Sequence, residues 1–262
     1  MEKIIEDYKI QKKLLIKALV EKDYMEIYQS RILKSDFIVK LGEPRYELHK
    51  LELVIARTKL KLEMLQTCIH FQLPLDYEHI DRTLQKEFEK NFSLLKIMEK
   101  EIDNVHCNRE NQELTRVASE LKDIYLSIAE KIHPELYSDN QTLKLWKKVR
   151  SAYENKDTVK LKKLHKKIMA EYQGAELVSE EPEKDMKKTV KKMKTKTKTI
   201  LSEIDSLKKQ FPFNEAELLG NEEAVKKFRN DITQDIKNAK ELLDNLEKQI
   251  LEKLPPKSDL LN

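Results

Sequence analysis

Glycine is nearly absent from this chain: there are 3 in 262 residues, beside 7 prolines, 2 cysteines and 1 tryptophan. A β-rich fold built on many tight turns needs glycine and proline at frequent intervals, so that class is excluded. Glycine-rich phosphate loops are excluded on the same ground. Cys68 and Cys107 stand alone, with no CxxC and no Cys/His ligand spacing. They predict reduced thiols in an intracellular setting rather than a disulfide framework. No apolar run approaches membrane-spanning length. Glu2, Glu6 and Asp7 fall where a signal peptide would carry an uninterrupted apolar stretch, which predicts a cytoplasmic protein.

What the chain does have is charge. Asp, Glu, Lys and Arg make up 37% of it and hydrophobic residues only 39%, while 51 basic and 47 acidic residues nearly cancel to +4. That composition suits long helices with narrow apolar seams and charged outer faces. A net charge so close to zero does not describe a polycation built for nucleic acid. The seams are visible. Leu48, Leu51, Ile55, Thr58, Leu62, Leu65 and Ile69 alternate steps of three and four, as do Leu84, Phe88, Asn91, Leu95, Met98, Ile102 and Val105. A third seam runs through Val225, Ile232, Ile236, Ala239, Leu243, Leu246 and Ile250. Thr58 and Asn91 interrupt the first two as register-setting polar contacts.

Breaks fall at Leu41-Gly42-Glu43-Pro44, Leu73-Pro74-Leu75, Gly174, Phe211-Pro212-Phe213 and Gly220. Asn214 and Glu217 have capping-box spacing, and Asn221 has the chemistry of a helix N-cap. Short breaks between long helices fold one helix back on the other. The expected fold is therefore all-α. Helices 2–40 and 45–72 form an antiparallel hairpin, with a third helix over about 77–105.

The segment 110–172 reads differently. Leu114, Val117, Leu121, Ile124 and Ile128 stripe one helix that ends at Ile132-His133-Pro134. Proline fixes φ and disfavours the helical region for the residue before it, so an imidazole and a carboxylate are fixed at a helix end. A loop over 135–141 leads to a second helix with Leu143, Leu145, Trp146, Val149, Ala152 and Tyr153, then to a short third one, Thr158–Ala170. Tyr125, Ile128, Ala129, Lys131, Ile132, His133, Pro134 and Glu135, followed by Trp146, Val149, Ala152 and Tyr153, resemble the J domain of DnaJ-type co-chaperones. The resemblance covers about a fifth to a quarter of the chain. A long coiled-coil region ahead of an internal J-like hairpin is also similar to a group of bacterial J-domain-containing proteins.

That resemblance implies a partner-binding site at His133, Pro134 and Glu135, with Lys122 and Lys131 adding attraction. It also implies a DnaK-type chaperone ATPase as the partner and no chemistry performed by the domain itself. Three features depart from the family. Glu135 stands where the active pattern has aspartate, one methylene longer. The preceding helix alternates Lys122 and Lys131 with Glu120, Asp123 and Glu130. No short first helix of the usual kind precedes Leu121.

Residues 184–198 hold eight lysines and one acid with no interleaved aromatics, and read as a basic linker with nonspecific anion binding as a side property. Six histidines are scattered with no HExxH motif and no i, i+4 histidine pair. His106-Cys107 would point its side chains apart on a helix, and a loop position is equally open, so an inert or structural role is expected. No metal, cofactor or catalytic constellation is expected. The domain reading is coiled-coil helices over 1–109, a J-like unit over 110–172, a basic linker over 173–198 and a helical coiled-coil segment over 199–262. The C-terminal seam needs cover from the N-terminal helices or from another copy, so self-association is expected. A J-like co-chaperone or adaptor is the first functional expectation. A coiled-coil scaffold is the second, and an anion-binding accessory protein working through 184–198 is the third.

Overall fold

A computed structural model describes residues 2–107, 110–137, 139–172 and 183–253. Residues 173–182 of the expected linker, with Gly174, lie outside the described residues, as do Leu254-Pro255-Pro256 and the side chains of His106 and Cys107. The described chain is all-α, with no strand among the described residues. Its helices are α1 Glu2–Tyr24, α2 Ser30–Phe37, α3 Glu43–His70, α4 Tyr77–Cys107, α5 Glu110–Ile132, α6 Asn140–Glu154, α7 Thr158–Glu171, α8 Glu183–Lys208, α9 Ala216–Leu219 and α10 Glu222–Lys253. π-helical turns occupy Met25–Gln29 and Ile38–Gly42. The chain divides into two compact units, Met1–Lys34 with Arg109–Ala216, and Ser35–Asn108 with Glu217–Asn262.

The second unit is built on α3, α4 and α10. Ile55 and Leu62 of α3 pack with Leu246, Ala239, Leu243 and Ile250 of α10. Leu65 packs with Ile80 and Leu84 of α4. The C-terminal seam is thus covered within the chain. Thr58 donates its hydroxyl to Val54 O of its own helix at 2.8 Å, and Asn91 is exposed, so neither polar seam residue sets register across an interface. The break at Leu73–Asp76 is real, with Gln72 left-handed at φ 52° and the Asp76 carboxylate capping the His79 amide at 2.9 Å.

The turn expected at Leu41–Pro44 is absent. Gly42 and Glu43 keep helical dihedrals, and Pro44 falls in the first turn of α3. A proline there needs no amide donor, and the adjoining π turn has already shifted the hydrogen-bond ladder, so the backbone stays helical. The Asn214/Glu217 capping box also gives way, to a 3₁₀ turn at Phe213–Glu215 in which Asn214 bonds Glu215 instead. Asn221 does cap α10, accepting from the Ala224 amide at 3.1 Å.

The first unit is organised around α1. Ile16 and Val20, with Tyr28 beyond, join α5, α6 and α7 in one core through Leu121, Tyr125, Ile128, Trp146, Val149 and Leu161. Leu15, Ala18 and Met25 join Met193, Ile200 and Ile204 of α8 in a second. Successive residues on a helix point about 100° apart, so one helix serves two cores. The region read as linker is helical from Glu183, and α8 runs through 198/199, where a boundary was expected. Met186, Val190, Met193, Thr197, Ile200 and Ile204 alternate steps of four and three and are all buried. A lysine-rich segment becomes an amphipathic helix because its lysines occupy the remaining positions.

Candidate functional site at the His133 loop

α5 ends on schedule. The His133 amide still bonds Ala129 O at 3.0 Å, and Pro134 lets the chain leave the helix. Leu136 N and Tyr137 N both return to His133 O, at 2.9 and 3.0 Å, closing a tight turn. α6 then starts at Asp139, whose carboxylate accepts from the Gln141 and Thr142 amides at 3.0 and 2.9 Å and from the Thr142 hydroxyl at 2.5 Å. These hydrogen bonds hold the Asp139 carboxyl below its usual range, the one from the Thr142 side chain first.

The imidazole of His133 is buried, 7% exposed, with its ring edge-on to Trp146 of α6 at 4.5 Å between centroids. Its Nδ1 accepts the Glu135 amide at 3.1 Å, which assigns the proton of the neutral ring to Nε2. Burial is the main cause that pulls its pKa down to about 4; Arg150 and Lys196 act in the same direction and Glu135 against it. His133 is therefore a neutral wedge between α5 and α6. It fixes the loop rather than presenting a charge.

Glu135 is exposed, and its carboxylate is held by Lys196 of α8, with Nζ 2.6 Å from Oε1. The next two residues are engaged too. Leu136 packs into the α1–α8 core, and the Tyr137 hydroxyl receives Lys12 Nζ of α1 at 2.7 Å. Pro134 is half-buried. The structure thus brings His133, Pro134 and Glu135 together as one turn and adds Lys12 and Lys196, which the sequence reading had not placed there.

Lys122 lies about 16 Å further along α5 by helical rise. It binds Glu21 of α1 at 2.5 Å and sits 4.3 Å from the Tyr24 ring centroid. Lys131 is half-buried in the last turn of α5. The two helix lysines and the loop carboxylate do not form one cluster.

Behind the loop lies an aromatic column. Tyr125 stacks on Tyr153 at 4.0 Å and 7°, and reaches Trp146 at 5.1 Å, while Tyr28 meets Tyr153 edge-on at 4.8 Å. The Tyr28 hydroxyl donates to the Tyr153 carbonyl, and the Tyr125 hydroxyl donates to Asp23 at 2.9 Å. Burial raises the Asp23 carboxyl, with the Tyr125 hydrogen bond and Arg150, 3.8 Å away, opposing. Burial also pushes Tyr28 up to about 12 and Tyr125 and Tyr153 higher still. The Tyr153 hydroxyl is buried without a partner among the described residues. Asp23, Tyr28 and Arg150 escaped the sequence reading because their meeting joins segments more than a hundred residues apart. The expected helix over 2–40, which carries both Asp23 and Tyr28, was the only signal.

No group of three or more His, Cys, Asp or Glu suited to a metal ion occurs among the described residues. No described helix is long and apolar enough to cross a membrane. Comparison with protein-family models, curated proteins and solved structures finds no match to this chain.

Proposed function

We propose that this chain is a non-enzymatic, cytoplasmic adaptor of J-domain type, whose α5–loop–α6 element engages a DnaK-type chaperone ATPase. The observation that supports this most directly is the packed turn itself. His133 is wedged on Trp146, and its ring is tied to the Glu135 amide, so the carboxylate leaves the turn in a fixed direction. An acid at the tip of a helical hairpin suits charge-directed docking to a basic partner surface. Lys196 restrains this contact by occupying the carboxylate, and Lys122, already bound to Glu21, contributes little until that pair opens. The reading needs no second copy of the chain, because the α10 seam that called for one is covered by α3.

A coiled-coil scaffold remains the competing reading, favoured by the engagement of Glu135, Leu136 and Tyr137 within the chain. Single-turnover ATP hydrolysis by a DnaK-type chaperone separates the two. Wild type should stimulate weakly, and Lys196→Ala severalfold more, because Glu135 is released. Adding His133→Gln to Lys196→Ala should return the rate to baseline. Silence from every form, Glu135→Asp with Lys196→Ala included, would leave the scaffold.

A further inference from the structure

Lysines on one flank of α8 line an open groove of about 740 Å³ against α1. Its walls include Lys188, Lys191, Lys192 and Lys196, with Lys22 from α1. Apolar surface comes from half-buried Leu19, while Ile200 beneath it is packed into the α1–α8 core. The acid in it, Glu203, is already bound by Lys22 at 2.7 Å. A second depression shares Lys22, Thr195, Thr199 and Glu203 with the first and continues along α8 past Ser202 to Gln210, adding Lys198, Leu207 and the acid Glu26, which lies 3.8 Å from Lys22. From Lys188 to Leu207, the last residue of α8 that lines it, the helical rise gives a channel about 28 Å long.

We infer that this channel is a docking site for an acidic amphipathic helix of a protein partner. Three features choose that occupant. The channel is long and open, with the Lys188 and Lys196 side chains 64% and 47% exposed, so it cannot enclose a small ligand. Lys22, Lys188 and Lys196 are paired with Glu203, Asp185 and Glu135. Lys191, Lys192 and Lys198 have no ion pair among the described residues, and these three cations spaced along the channel call for carboxylates. Half-buried Leu19 and, in the second depression, half-buried Leu207 call for an apolar stripe beside them, the pattern of a helix laid in a groove. Aromatic side chains that would stack bases are missing from the groove residues, which disfavours single-stranded nucleic acid. The site stands whether or not the His133 loop engages a chaperone.

Fluorescence anisotropy on the full chain tests it. The probe is a labelled 21-residue peptide with leucines at helical i, i+3, i+4, i+7 spacing and glutamates flanking them. A composition-matched scramble without the stripe and an oligo(dT) of equal charge serve as comparisons. The striped peptide should bind at least tenfold more tightly than either. Lys191→Glu with Lys192→Glu should weaken it tenfold or more. Thr199→Trp, which fills the channel and leaves the charge untouched, should do the same while circular dichroism shows the fold intact. Equal binding of the scramble or the oligonucleotide would overturn the proposal in favour of nonspecific polyanion adsorption. Full binding by Thr199→Trp would overturn it as well.

Discussion

A histidine in solution titrates near pH 6.5, whereas His133 is held neutral down to about pH 4 by its burial against Trp146. Between those values the unfolded chain takes up a proton that the folded chain refuses. Stability should therefore be at its full value above about pH 6.5 and fall as the pH drops towards 4, by on the order of 3 kcal/mol from this residue. Glu135 softens the loss by favouring the charged ring, while Arg150 and Lys196 sharpen it. Denaturant midpoints measured from pH 7 to 4.5 should fall more steeply in wild type than in His133→Gln. Parallel profiles would mean the ring is not buried as described. Sequence alone located this residue at a helix end, because proline leaves few alternatives there. It pictured the side chain as exposed to a partner, since the covering residues come from Trp146 and from the turn's own amide, and neither contact has a local signature.

At the scale of elements, one chemical edit should have opposite effects on two neighbouring tyrosines. Tyr28, just beyond α1, donates to the Tyr153 carbonyl of α6 and so pins the N-terminal helix to the hairpin. Tyr28→Phe should cost about 1 kcal/mol. Tyr153→Phe removes a buried hydroxyl that has no partner and should be neutral or stabilising by up to about 1 kcal/mol. Urea titrations of the two variants would measure both, and a loss at Tyr153 as large as that at Tyr28 would show the hydroxyl to be partnered. The helices α5 and α6 were legible because each carries a clean apolar stripe and Pro134 separates them. α8 was not, because Met186, Val190, Met193 and Thr197 are a sparse stripe under eight lysines, and composition outweighed period. Continuity through Gly42-Glu43-Pro44 was hidden for a different reason. Glycine and proline mark a break by default, and only the π turn beside them shows that the missing donor is tolerated.

Across the whole molecule, the expected boundaries followed the chain while the packing does not. The chain passes between the two units near residues 34, 108 and 216, and each unit joins segments far apart in sequence. A long helix shows its seam but not its partner, so pairing of α3 with α10 could not be read from either stripe alone. Each unit has a core of its own, and the single tryptophan, Trp146, lies buried in the first. Tryptophan fluorescence therefore follows the first unit, while far-ultraviolet circular dichroism follows all the helices. Leu62→Ala removes a 7%-exposed side chain from the α3–α10 seam and should destabilise the second unit by about 2–5 kcal/mol. The dichroism transition should then split, or its early part move to lower denaturant, while the Trp146 transition keeps its midpoint. If both probes shift together by the same amount, the two units unfold as one cooperative body. In that event a stabilising change on α10 would strengthen the His133 turn as well.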